Sequence, residues 1–228
     1  MYTRRKNDLS LKTKIDNMSV FVVSIDGTDF SGKTTIANLV VELLRQMNKG
    51  KNIEFKRTEV PSRFITGAFT SILRSSVDSV PPEVFALAYA ADHLFHYYHS
   101  IRPLEKHEGS FVIIQERSML TTYVYQGLLG NVDFAWLRGI NKFNKNVPKL
   151  TLILKVPFEE LKKRKSLDRR QFDKFEGEDH IKKQSEVYYN LPEGLVKEFN
   201  IEYIDAGDSP LNVAERCANR IQREIEHL

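Results

Sequence analysis

The sequence predicts a three-layer α/β fold, a five-stranded parallel sheet with helices on both faces. Three observations predict it. Apolar runs stand at residues 20–25, 111–114 and 150–156, and shorter strand-like stretches at 53–58 and 201–204. Helical patterns separate them, as right-handed crossovers between parallel strands require. The first run passes through a glycine-rich loop directly into a helix.

Residues 1–19 are polar and basic, with Arg4, Arg5, Lys6, Lys12 and Lys14, and lack the apolar core of a secretory signal. Asp8 and Asp16 argue against a transit peptide. The stretch is expected to be a disordered tail ahead of one domain spanning 20–228. The first strand ends in Asp26, and a helix follows with Ile36, Leu39, Val40, Leu43 and Leu44 on one face. Asn48 to Asn52 form a turn, and the second strand delivers Glu59-Val60-Pro61-Ser62-Arg63 to the carboxyl edge of the sheet, where ligands bind in open α/β folds. A helix is expected over 64–74. Pro81-Pro82 starts another, whose apolar members are Phe85, Leu87, Ala88, Ala91, Leu94, Phe95 and Tyr98. The uninterrupted run 111–114 reads as a strand buried on both faces, and it ends in Gln115-Glu116-Arg117-Ser118. Helices are expected around 123–127 and over 133–144, then the fourth strand. The segment 161–177 is densely charged. Helical pattern returns over 178–189 and onward to 199, the fifth strand covers 201–204, and an amphipathic helix over 213–228 closes the chain.

Composition removes whole classes of function. With 34 basic and 30 acidic residues among 228, the formal charge of +4 is well mixed. No nucleic-acid partner is expected from that balance. No apolar run reaches the length of a membrane span. The single cysteine, Cys217, excludes an internal disulfide and a cysteine-rich metal site, and fits a reducing, cytoplasmic compartment.

The chemistry is concentrated in Gly27-Thr28-Asp29-Phe30-Ser31-Gly32-Lys33-Thr34, with Thr35 following. This fits G-x-x-x-x-G-K-[ST] between strand and helix, the phosphate-loop (P-loop) motif of nucleoside triphosphatases. Loop N–H groups cradle phosphate oxygens at the positive end of the helix. Lys33 reaches the β- and γ-phosphates, and the Thr34 hydroxyl is a Mg²⁺ ligand. ATP and Mg²⁺ are therefore expected. The guanine-reading Asn-Lys-x-Asp is absent, since residues 141–144 read Asn-Lys-Phe-Asn.

Beyond the loop, the order of motifs resembles the thymidylate kinase family of P-loop nucleoside monophosphate kinases, from about residue 20 to the C-terminus. The P-loop matches the family's Gly-x-Asp-x-x-Gly-Lys-[Ser/Thr]. Pro61-Ser62-Arg63 matches its Pro-x-Arg. Glu116-Arg117-Ser118 and Tyr125-Gln126-Gly127 stand where the family has Asp-Arg-[Tyr/His] and Tyr-Gln-Gly. Residues 147–157 and Asp173-Lys174-Phe175-Glu176 resemble further family stretches. The resemblance implies transfer of the ATP γ-phosphoryl group to dTMP, giving dTDP, in a homodimer. It implies that Asp29, Arg63, Tyr89, His93, Arg117 and Gln126 bind the acceptor and that Thr34 and Glu116 serve the metal. Thr121 is a further base-side candidate. Residues 164–177 would be a mobile basic lid. Many members carry an arginine where this chain has Phe30, so the catalytic cation would come from the lid, from Arg169 or Arg170, with Arg164 beside them. Lys33 and Arg117 complete the implied catalytic set. Tyr89-Ala90-Ala91-Asp92-His93 departs from the family's Phe-x-Ala-x-Arg in its last residue.

Two other readings stay open. Glu-Arg-Ser also marks deoxynucleoside kinases, in which a carboxylate near the position of Glu59 deprotonates a sugar hydroxyl. A non-catalytic nucleotide-binding protein on the same fold is the third.

Overall fold

The computed structural model describes residues 20–76, 79–168 and 177–226. Arg169, Arg170 and residues 173–176 of the expected lid, like the expected tail, lie outside the described residues. The order of elements is β1 (Val20–Asp26), α1 (Lys33–Met47), β2 (Ile53–Glu59), α2 (Ile65–Ser75), α3 (Pro82–His96), β3 (Ser110–Glu116), α4 (Met119–Thr122), α5 (Phe134–Asn141), β4 (Leu150–Lys155), α6 (Phe158–Leu167), α7 (Glu178–Tyr189), α8 (Glu193–Glu198), β5 (Ile201–Asp205) and α9 (Pro210–Glu226). Helix α3 continues into a π-helical turn, Tyr97–Ile101, and α4 into a second one, Tyr123–Leu129.

The five strands are all parallel, in the order β2-β3-β1-β4-β5. Side chains alternate across each strand, so β1 serves two cores. Phe21, Val23 and Ile25 face a cluster built with Ile36, Val40 and Leu44 of α1 and Val213, Cys217 and Ile221 of α9. Val22 points to the opposite face, with Tyr97, Ile101, Phe111 and Ile113. On that same side Ile153 joins Leu120, Tyr123, Leu137, Tyr188 and Phe199. This double burial is why the central strands β1, β3 and β4 read as near-continuous apolar runs.

Register places the chemistry. Ile25 lies opposite Glu116, and Glu59 lies opposite Glu116 on the other side. The carboxyl ends of β2, β3 and β1 therefore finish level. The P-loop leaves β1 towards α1 on one face, whereas the chain after β3 turns to the other face. The crevice between them is the site.

Helix α3 departs from the apolar pattern read from sequence. Leu87, Ala91 and Tyr98 are exposed, while Asp92, His93 and His96 are buried. The reason is a long-range polar anchor. The buried Asp92 carboxylate accepts from the Ser62 backbone N–H at 2.7 Å, the Ser62 hydroxyl at 2.5 Å and the Thr66 hydroxyl at 2.7 Å. These bonds turn the polar residues of α3 towards the loop after β2.

Candidate active site

The P-loop path is set by its glycines. Gly27 has φ +141 and Gly32 has φ +90, and a Cβ at Gly27 would lie 3.1 Å from the Leu154 carbonyl oxygen. Phe30 also takes a left-handed φ of 64, and its ring packs against the α1/α9 core. The Lys33 ammonium, buried under the loop, donates to the Thr28 carbonyl at 2.6 Å. Burial, reinforced by the nearby Arg117 charge, draws it down to about 8. An arriving polyphosphate opposes both effects.

Asp29 is the most constrained residue of the loop. Its Oδ1 accepts from an Arg117 Nη at 2.5 Å, and its Oδ2 accepts from the Tyr125 hydroxyl at 3.3 Å. Burial alone would raise its pKa. Arg117, Lys33 and Arg74 outweigh burial and hold the carboxyl far below the usual carboxylate range. Arg117 is itself mostly buried with φ 65, directly after β3, and Asp29 overcomes the desolvation to keep it firmly charged. Each ion is thus compensated by the other, the condition under which buried charges are tolerated.

Above this pair is a cavity of about 270 Å³ lined by Arg74, Phe85, Tyr89, Arg117, Thr121, Tyr125, Gln126 and residues of α7. The wide π-helical turn after α4 brings the adjacent Tyr125 and Gln126 to one wall. The Gln126 amide oxygen is buried and has no partner among the described residues. The Thr121 hydroxyl, by contrast, is engaged with Asp26 at 2.6 Å. Asp26 also accepts from the hydroxyls of Ser24, Ser118 and Tyr188, tying the base of the P-loop to both neighbouring helices.

On the metal side, the Thr34 hydroxyl donates to Glu116 Oε1 at 2.9 Å. These are hard oxygen donors at the mouth of the phosphate loop. Among the described residues no group of three His, Cys, Asp or Glu side chains could hold a metal alone. The set fits Mg²⁺, which takes one or two protein oxygens and completes its shell with phosphate and water. Glu116 Oε2 accepts from Arg57 at 2.7 Å, and Arg57 also bonds Glu59 at 2.6 Å.

The structure gathers Asp29, Lys33, Thr34, Tyr89, Glu116, Arg117 and Gln126 at the crevice. It places two expected residues elsewhere. His93 is buried off the cavity, and burial pushes its imidazole down to about 4. The Arg63 side chain points outward, 84% exposed, and pairs with Glu59 at 2.5 Å. Arg164 lies within α6, its guanidinium donating to the carbonyls of Ser31 at 3.2 Å and Ala206 at 3.0 Å. It braces the P-loop rather than covering it. Sequence reading missed Arg57 and Arg74. Arg57 alternates with Glu59 on a strand aimed at the crevice, which was the available signal. Arg74 had only its place near the end of a helix.

Comparison with known proteins agrees with this geometry. A family model described as thymidylate kinase matches residues 25–216. The chain is 32% identical over 208 residues to a protein of Caldivirga maquilingensis named "Probable thymidylate kinase", covering 90% of this chain and 94% of that one. It is 29% identical over 204 residues to "Probable thymidylate kinase 1" of Saccharolobus solfataricus, covering 90% and 98%. It is 30% identical over 212 residues to the thymidylate kinase of Mesoplasma florum, covering 90% and 96%.

Proposed function

The chain belongs to the thymidylate kinase family, and from that premise we propose that it transfers the γ-phosphoryl group of ATP to dTMP. The observation that carries the reading is the Asp29–Arg117 pair, which joins the phosphate loop to the cavity beside it. Phosphoryl transfer asks the protein for positioning and for cations around the moving charge. Lys33 and the loop N–H groups hold the donor phosphates. Arg117 presents a fork to the acceptor phosphate. Asp29 Oδ2 accepts the sugar 3′-hydroxyl, Tyr89 stacks on the base, and the Gln126 amide oxygen accepts from the thymine imide N–H. Thr34 and Glu116 hold Mg²⁺, which supplies charge neutralisation on the phosphates when bound. Arg169 or Arg170 supplies the cation that Phe30 does not.

The nucleoside reading is weaker on a specific ground. Burial tends to raise the pKa of Glu59, but Arg63 and Arg57 prevail and lower it, which makes it a poor base for a sugar hydroxyl. A coupled assay of ADP release across dTMP, dUMP, UMP, CMP, AMP and thymidine tests the proposal. Turnover of dTMP well above the rest is expected. Turnover of thymidine without dTMP would replace this reading with the nucleoside kinase.

The protein is proposed to act as a homodimer in the cytoplasm. Ile65, Phe69 and Ile72 are exposed at helical spacing on α2, beside exposed Leu87 on α3, an apolar face of the kind that marks an interface. Sedimentation should show a dimer that Phe69→Glu converts to monomer, and a monomeric parent protein would refute it. Among the described residues no helix is long and apolar enough to cross a membrane.

A further inference from the structure

Gln184 lies on α7, the helix that follows the expected lid. Its side chain is 2% exposed and lines the acceptor cavity. It meets Asp29 at two points. The Asp29 backbone N–H donates to Gln184 Oε1 at 3.3 Å, and Gln184 Nε2 donates to Asp29 Oδ2 at 3.4 Å. That oxygen is the one left over by Arg117, which takes Oδ1.

The two contacts are complementary. An amide both donates and accepts, so one side chain fixes the main chain and the carboxylate of the same residue. A leucine of similar size would satisfy the packing of this face with Ile181 and Tyr188, while burying an amide carries a desolvation cost unless it is bonded. Arg117 alone leaves the carboxylate free to rotate about its single strong contact. Gln184 and Tyr125, both neutral donors to Oδ2, define its plane without removing its charge. Both of these donors line the cavity, so the oxygen they hold lies directly behind its wall.

We propose that Gln184 is a positioning residue for acceptor recognition, holding Asp29 so that Oδ2 receives the 3′-hydroxyl of the acceptor sugar. It rests on the reading of Asp29 as the sugar ligand.

The test is a substrate–mutation cycle on the full chain, with dTMP and with 3′-deoxy-dTMP, which lacks the hydroxyl. The parent enzyme is measured first. If removing the hydroxyl leaves its KM unchanged, or if dTMP is not turned over, the reading of Asp29 fails, whatever Gln184 does. Given a parent that discriminates, Gln184→Leu should raise KM for dTMP about tenfold, the worth of a bond or two to a charged group. Its kcat and KM for ATP should stay within about twofold, and the effect should vanish with the 3′-deoxy acceptor. Gln184→Glu, which sets a second carboxylate against Oδ2, should be worse than Gln184→Leu, and Gln184→Met repeats the test with an unbranched chain if the leucine variant folds poorly. Equal losses with both acceptors, or a loss confined to kcat or to ATP, would overturn the proposal.

Discussion

Acid should destabilise this protein through His93, by an amount that the structure sets. The imidazole is 2% exposed, and burial, only partly opposed by Asp92, lowers it from the ordinary 6.5 to about 4. Between those values the unfolded chain binds a proton at this residue and the folded chain does not. Stability is therefore unaffected above pH 6.5, falls as pH drops through the window, and levels below about 4. At about 1.4 kcal/mol per pH unit the full loss is on the order of 3 kcal/mol, and at pH 5 it is about 2 kcal/mol. His96 is lowered in the same direction by burial and steepens the parent's slope. Asp29 is held low, so its contribution is lost only below its ordinary 3.8, outside the window. Urea unfolding at pH 8, 6, 5 and 4.5 reads the slope, and His93→Gln isolates the residue because His96 remains in both proteins. The variant should lose about 2 kcal/mol less than the parent between pH 8 and 5. Parallel profiles for the two proteins would mean that His93 is not buried as a neutral ring, and the placement of α3 would be wrong.

Other outcomes follow from the same coordinates. Arg57→Ala leaves Glu59 and Glu116 side by side without their shared cation; unfolding free energy should fall by about 1–3 kcal/mol, and Glu59→Gln in the same chain should recover part of it in urea melts. Arg117→Ala should raise KM for dTMP about a hundredfold while KM for ATP moves less than about threefold, the loss of a charge-assisted contact; equal losses for both substrates would count against its assignment to the acceptor. Lys33→Ala should cut kcat by at least ~10²-fold, the scale of removing one group that stabilises developing charge, and a variant retaining most of its turnover would sink the P-loop assignment.

The central strands β3, β1 and β4 were legible because they are buried on both faces, so apolarity alone marks them without any need for periodicity, whereas the edge strands β2 and β5 are only half-buried. The P-loop was legible because its glycines, lysine and threonine are local in sequence. Legibility failed where partners are distant. On α3 the apolar pattern favoured Leu87, Ala91 and Tyr98 as inward, but Asp92 bonds to Ser62 and Thr66, and that attachment decides which face turns in. A helix with apolar residues on several sides offers no contrast by which periodicity could choose. The sequence could place Arg57 beside Glu59 at the crevice, but its bond to Glu116 needed the strand order, since β2 lies beside β3 and brings Glu116 to it across 59 residues. Gln184 is a polar residue on a mostly polar helix, and nothing in its neighbours announces that its partner is Asp29.

These distant partners converge on one carboxylate. Asp29 belongs to the loop that grips the donor, yet its side chain is held by Arg117 from the end of β3, Tyr125 from the π-helical turn and Gln184 from α7. A residue with such partners cannot move independently of the acceptor wall. Phe30, next along the loop, turns into the core and contributes no charge. The loop thus divides its contacts between adjacent positions: Asp29 is tied to the cavity wall, Phe30 anchors in the core, Lys33 donates back to the Thr28 carbonyl and Thr34 to Glu116.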